Sequence, residues 1–228
     1  MRVNLQPFGE EIWIANDWLQ TLGMTIPVRM TVIRLKDRQL FIHSPLALSS
    51  QLRTQLDALG HVCHVVAPNK FHHLFAGDYS VYPDARLFLA PGLEHKRKDL
   101  GYRALLGDSP PPAWSGQIDQ ALLAGAPLLN EVAFFHRRSR TLILTDLALN
   151  IRHTPSRLAR WYFRMNGVYG RLGQSWLIRL LIRDRQAARR AVEHMLHWDV
   201  ERILMAHGEP VTDGGKEALR ALFGWLLR

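Results

Sequence analysis

Apolar positions along the chain separate into runs with strand spacing and runs with helix spacing. Met30–Leu35 (MTVIRL) and Leu40–His43 (LFIH) are β-branched or aromatic stretches flanking Lys36-Asp37-Arg38-Gln39, which predicts a hairpin. Ser49 or Ser50 then caps a helix whose Leu52, Leu56 and Leu59 face one way, and Gly60 ends it. His61–Ala67 (HVCHVVA) reads as a buried strand stopped by Pro68-Asn69. A polar, histidine-bearing loop follows, then a strand at Ala85–Ala90 stopped by Pro91-Gly92.

Gly107–Pro112 (GDSPPP) is a loop, and short strands are expected past Trp114. They end in a hairpin with Glu131–His136, a turn at Arg137–Arg140, and Thr141–Asp146. From about Pro155 to Trp198 the period becomes helical and arginine-rich, before a strand at Glu201–Met205. Lys216–Leu227 is a helix with Leu219, Leu222, Phe223 and Leu226 on its apolar side. Hairpins mixed with strand–helix units, and strands that return after helices, predict a layered α/β fold rather than a pure parallel sheet.

Composition narrows this. With 228 residues, 47% hydrophobic and 21% charged, global disorder is excluded and one large domain over 1–228 is favoured. One cysteine, Cys63, excludes an intrachain disulfide framework and a multi-cysteine zinc site. The N-terminus lacks a signal-peptide core and no apolar run approaches a spanning helix, so a cytoplasmic protein is expected, peripheral to a membrane at most. The net charge of +9 draws anionic partners.

Candidate chemistry gathers just past the predicted strands: Asn69 with His72-His73, Asn130-Glu131, Asp146 and His207. In layered α/β folds, loops leaving one sheet edge bring polar residues into a common crevice. Two adjacent histidines, an aspartate and a distant histidine suit Zn²⁺, Fe or Mn²⁺, with a coordination position left for water. The plainer alternative is a hydrogen-bonded histidine pair without metal. His61 and His64 read as core or edge histidines, and His194 and His197 as packing or surface residues.

On these residues the chain resembles the metallo-β-lactamase-fold superfamily, αββα sandwiches with metal ligands on loops at one sheet edge. The stretch Pro68-Asn69-Lys70-Phe71-His72-His73 is similar to the family's His-x-His-x-Asp-His motif. Asp146 in LILTDL matches its strand-ending aspartate, and His207 in ILMAHGEP its last histidine. PNKFHHLF and LARWYFRMNGVYG also resemble a branch known only as a domain of unknown function, and the likeness runs over roughly residues 10–227. It implies a four-layer αββα sandwich with one divalent metal, zinc before iron or manganese, on His72, His73, Asp146 and His207.

The sequence departs from the motif where Pro68 and Lys70 stand in place of two histidines, so one of the family's two metal sites is expected to be lost. His136 does not replace the middle histidine. It sits by the hairpin turn, roughly 15 Å along the sheet from Asp146. Glu131 or Asn130, across from Asp146, is better placed, with Glu131 as a fifth ligand or general base, and Asn69 and Lys70 are assigned to the substrate. The implied activity is hydrolysis of an anionic ester, amide or phosphoester by metal-activated water, with Asp146 and Glu131 catalytic. The alternative is an inactive, metal-free relative serving as a binding or scaffold module; an iron oxidoreductase ranks lower.

Between Ile151 and Arg190 lie ten arginines and a single acid, Asp184. Arg157, Arg160 and Arg164 share a helical face, and Trp161, Tyr162, Phe163, Tyr169 and Trp176 interleave with them. The segment 152–190 is expected to be a helical insertion. Its basic face is either simply solvated, or a surface for nucleic acid or an anionic membrane. It also suits steering of an anionic small-molecule substrate to the site.

Overall fold

In the computed structural model, which describes residues 3–228, two sheets face each other with helices outside. The first holds seven strands in sequence order, β1 (Leu5–Gly9), β2 (Ile12–Thr21), β3 (Met24–Arg34), β4 (Gln39–His43), β5 (His61–Ala67), β6 (Arg86–Leu89) and β7 (Ala104–Leu105). The second holds β8 (Ile118–Leu122), β9 (Val132–His136), β10 (Thr141–Leu144) and β11 (Arg202–Met205) in the order β11-β10-β9-β8. Helices α1 (Ser50–Leu59), α2 (Leu93–Lys96), α3 (Arg157–Met165), α4 (Trp176–Leu181), α5 (Arg185–Leu196) and α6 (Gly215–Leu227) complete the chain.

Period-two side chains sort the apolar runs into three cores. Along β9, Val132 and Phe134 enter the core between the sheets, where they meet Ile12, Phe41, Val66 and Trp114. Ala133 and Phe135 point the other way, onto a layer formed by α5 and α6. Leu52 and Leu56 of α1 cover the outer face of the seven-stranded sheet. The order α, β, β, α is the four-layer sandwich expected from the sequence. Ser49 caps α1 by accepting the Leu52 N–H, and Gly60 follows its last turn.

Two readings need revision. The first sheet begins with two hairpins, β1–β2 and β2–β3, and β3 starts at Met24 rather than Met30. Ile12–Thr21 lies next to the edge strand β1 and is half-exposed over much of its length, so it mixes polar and apolar residues and lacks the continuous apolar run that marked β5. The arginine-rich segment is also divided. Ala188, Val192 and Met195 of α5 pack into the outer layer of the sandwich, whereas α3 and α4 lie in the connection between β10 and α5. No helix among the described residues is long and apolar enough to cross a membrane.

Parallel pairing positions the site. β10 and β11 run parallel with Leu144 opposite Met205, so Asp146 and His207 each lie two residues past the last matched pair. β4 and β5 also run parallel, delivering Ser44 and the Pro68–His73 loop to one end of the other sheet. Gly208, at φ +90°, turns the chain behind His207; a Cβ there would stand 2.1 Å from the Asn150 carbonyl oxygen, so only glycine fits.

Candidate metal centre

His72, Asp146 and His207 converge. Their Nε2 atoms are 3.1 Å apart; His207 Nε2 lies 3.3 Å from Asp146 Oδ1, and His72 Nε2 3.5 Å from Oδ2. Among the described residues, these three form the group whose donor atoms all lie within 4.8 Å of one another. Tetrahedral zinc with bonds of about 2.0–2.1 Å needs neighbouring donors roughly 3.3–3.4 Å apart, and the three edges bracket that value.

The surrounding bonds fix which lone pairs face inward. The Pro27 carbonyl, 2.7 Å from His207 Nδ1, can only accept, so Nδ1 carries the proton and Nε2 is left as the donor to a metal. Ser44 Oγ lies 2.7 Å from His72 Nδ1 and orients that ring; a hydroxyl both donates and accepts, so this bond sets the ring's direction rather than its tautomer. Ser44 adopts φ +53°, a left-handed conformation uncommon for serine, at the turn that leaves β4. Sequence reasoning missed Ser44; its one signal was a Ser-Pro pair directly after a strand.

Electrostatics also favour a cation. Burial raises the Asp146 pKa, but the two histidines outweigh this and hold it well below the usual carboxylate range. Burial lowers the His207 pKa, yet hydrogen bonding to and the charge of Asp146, with the Pro27 carbonyl, bring it above its ordinary value. Glu131 is pushed up by burial and by the Asp146 charge. The Asp146 carboxylate and two imidazole nitrogens form a donor set whose charge a divalent ion would neutralise.

The other expected site residues have different tasks. His73 does not join the cluster. Arg97 Nη1, which can only donate, lies 2.9 Å from its Nδ1; the ring's own proton is therefore on Nε2, and neither nitrogen has a lone pair free. Burial, Lys96 and Arg97 hold its pKa down to about 4. Glu131 is fully buried and accepts the N–H groups of Thr145, Asp146 and Leu147 and the Asn69 amide. Four donors occupy its oxygens, which removes it as a ligand or free base and makes it the anchor of the loop carrying Asp146.

Asn69 is likewise buried, so it does not reach substrate. Its Nδ2 donates to Asp146 Oδ2 at 2.7 Å, while its Oδ1 accepts the Phe71 and His72 N–H groups. One side chain thus orients the carboxylate and turns the loop that presents His72. Lys70 donates to the Pro127 carbonyl at 2.7 Å and stays out of the cleft. Lys96, whose Nζ donates to the Lys70 carbonyl at 2.9 Å and keeps two further N–H groups, lines the cleft instead: the cluster opens into a cavity of about 420 Å³ whose walls include Lys96, Leu19, Ile26, Leu46, Phe71 and Phe75. Arg29, also unforeseen, is buried under the His207 loop and holds the Met205 carbonyl at 2.8 Å. His136 bonds to Ser139 beside the hairpin turn, and Asn130 donates to the Pro91 carbonyl.

Two facing sheets, outer helices and a His/Asp cluster on loops at one sheet end define a metallo-β-lactamase-fold protein. The fold is shared with the DIM-1 metallo-β-lactamase exposed to ceftazidime, at TM-score 0.67 and 13% identity over 99% of this chain and 98% of that one. It is also shared with the mono-zinc form of the FIM-1 metallo-β-lactamase from Pseudomonas aeruginosa, at 0.64 and 11% over 100% and 95%. A metal-soaked Flv1 flavodiiron core from Synechocystis sp. PCC6803 matches at 0.66 and 12%, over 98% of this chain and 60% of its own. Within this fold the chain belongs to the family described as domain of unknown function DUF4336, whose model matches residues 9–166. No curated protein matches it.

Proposed function

We propose that the protein is a metal-dependent hydrolase with one divalent ion, zinc first, held by His72, Asp146 and His207. The observation that carries this reading is the triangle of donor atoms at 3.1, 3.3 and 3.5 Å, each imidazole turned by a bond to its other nitrogen. When bound, the ion supplies Lewis acidity and a water ionised near neutral pH. Asp146 supplies the negative charge of the ligand set, and Asn69 keeps its carboxylate in place. Lys96 meets an anionic group, and Leu19, Ile26, Leu46 and Phe75 exclude water around an apolar one. This lining favours an anionic ester or amide with an apolar acyl part over a small phosphoester.

The test is elemental analysis of protein purified without a metal-binding tag, before and after zinc loading, alongside Asp146→Ala and His207→Ala. About one equivalent of zinc, lost in both variants, together with zinc-dependent cleavage of acyl esters bearing a carboxylate, is the expected result. Folded protein that takes up no zinc, iron or manganese overturns the reading and leaves the metal-free binding module.

A further inference from the structure

Helix α3 has three distinct faces. At about 100° per residue, Ala159 and Phe163 point inward and are buried, while Arg157, Arg160 and Arg164 form a second stripe. Leu158, Trp161 and Met165 form the third and are 49%, 62% and 62% exposed. A helix that rests on a domain in water needs only the first two faces; the outward apolar stripe has no partner among the described residues.

This stripe continues across neighbouring elements. Gly23, at the tip of the β2–β3 hairpin, lies against Leu158, and the adjoining Leu22 is 87% exposed. At the other end Met165 and Trp176 line one groove, and α4 adds Leu180 at 68% exposure. Of the ten arginines between 152 and 190, only Arg189 has a carboxylate within 4.0 Å, the side chain of Glu193. Seven of the other nine, from Arg152 to Arg183, lie in the α3–α4 connection that carries this apolar ridge, and among the described residues none of them has a carboxylate within 4.0 Å.

We propose that this face docks onto an anionic phospholipid surface, with Leu22, Leu158, Trp161, Met165, Trp176 and Leu180 entering the headgroup–acyl boundary and the arginines meeting lipid phosphates. Nucleic acid would satisfy the arginines and give Trp161 a stacking partner, but it offers nothing to Leu22, Leu158 and Leu180. A second copy of the chain presents the same uncompensated positive face and is repelled. The proposal is independent of the hydrolase reading, because no ligand of the metal centre takes part.

The experiment is co-sedimentation of the full chain with vesicles of phosphatidylcholine, alone or mixed with phosphatidylglycerol, and intrinsic tryptophan fluorescence with brominated lipid. Binding is expected only with phosphatidylglycerol, weakened by salt, and with tryptophan quenching by the brominated chains. Trp161→Asp/Leu180→Asp should weaken it at least ~10-fold, since both side chains lose apolar burial. Arg157→Gln/Arg164→Gln/Arg179→Gln should weaken it by about fivefold per arginine. Circular dichroism and thermal melting check that these exposed substitutions leave the fold intact. Absence of binding to anionic vesicles overturns the proposal. So does binding that survives the Trp161/Leu180 change, or preferential binding of an RNA oligonucleotide that is indifferent to that change.

Discussion

The end of the sandwich that holds His72, Asp146 and His207 and the α3–α4 connection beside it treat charge in opposite ways. At the sheet ends, Asp146 lies between two histidines, Glu131 accepts four N–H groups, and Arg97 spans His73 and Asp99. Across the rest of the sandwich Arg34, Arg53, Arg137, Arg138 and Arg140 each hold a carboxylate. In the connection, seven arginines between Arg152 and Arg183 hold none. Burial explains the pairing around Asp146 and Glu131, because an unpaired charge away from water costs several kcal/mol, whereas the other pairs lie at the surface. Contacts within the fold account for part of the second pattern, since Arg164 stacks on Tyr169, Arg179 on Trp225, and Arg171 donates to the Gly167 carbonyl, but none of these supplies a counter-charge. Exposed pairs contribute only about 0–1 kcal/mol each, so stability tolerates their absence and leaves these groups available to the lipid phosphates proposed above.

The contrast is broken most severely at Glu131. Glu131→Ala leaves the Thr145, Asp146 and Leu147 amides unsatisfied in the interior and should cost about 3–5 kcal/mol, read by urea unfolding, with zinc uptake falling too. Glu131→Gln, which keeps an acceptor, should lose less. If Glu131→Ala were as stable as the parent protein, the anchor role would be wrong.

Acid sharpens the same contrast. Burial holds His43 down to about 3, and His64 and His136 to about 4, against about 6.5 in the unfolded chain. Each therefore contributes stability that is complete above about pH 6.5 and is lost as pH falls toward the folded value, by up to ~1.4 kcal/mol per pH unit. Denaturation at pH 7 and pH 5 should show the loss, and His136→Gln should flatten it.

The arginine side should behave differently in the same assay. Arg157→Gln/Arg164→Gln/Arg179→Gln should change unfolding free energy by less than about 1 kcal/mol, with relief of mutual repulsion offsetting lost packing. The smallest effect belongs to the paired surface: Arg137→Ala, which frees Asp119, should cost about 0.2–1 kcal/mol, diminish in high salt and leave vesicle binding intact.

Much of the fold was legible because central strands are written as uninterrupted apolar runs. In β10, Leu142 and Leu144 face one core and Ile143 the other, so nothing polar interrupts the signal. The β1–β2–β3 hairpins were only partly legible, since strands near the sheet edge with half-exposed stretches mix residue types. For the site, Asp146 and His207 were legible as polar residues just beyond strands, and His72 through its place in a motif.

The sequence alone determined the layered α/β class, the strands whose ends gather the polar loops, and the arginine excess. Tertiary structure decided which polar residues share a centre. His72 and His73 are neighbours in the chain, yet Ser44 turns one toward Asp146 and Arg97 ties up the other. Glu131, Asn69 and Lys70 were all plausible participants until their hydrogen bonds consumed them. The physical reason is that a side chain's chemistry depends on which of its lone pairs and protons remain unused, and residues from 14 to as many as 180 positions distant settle that.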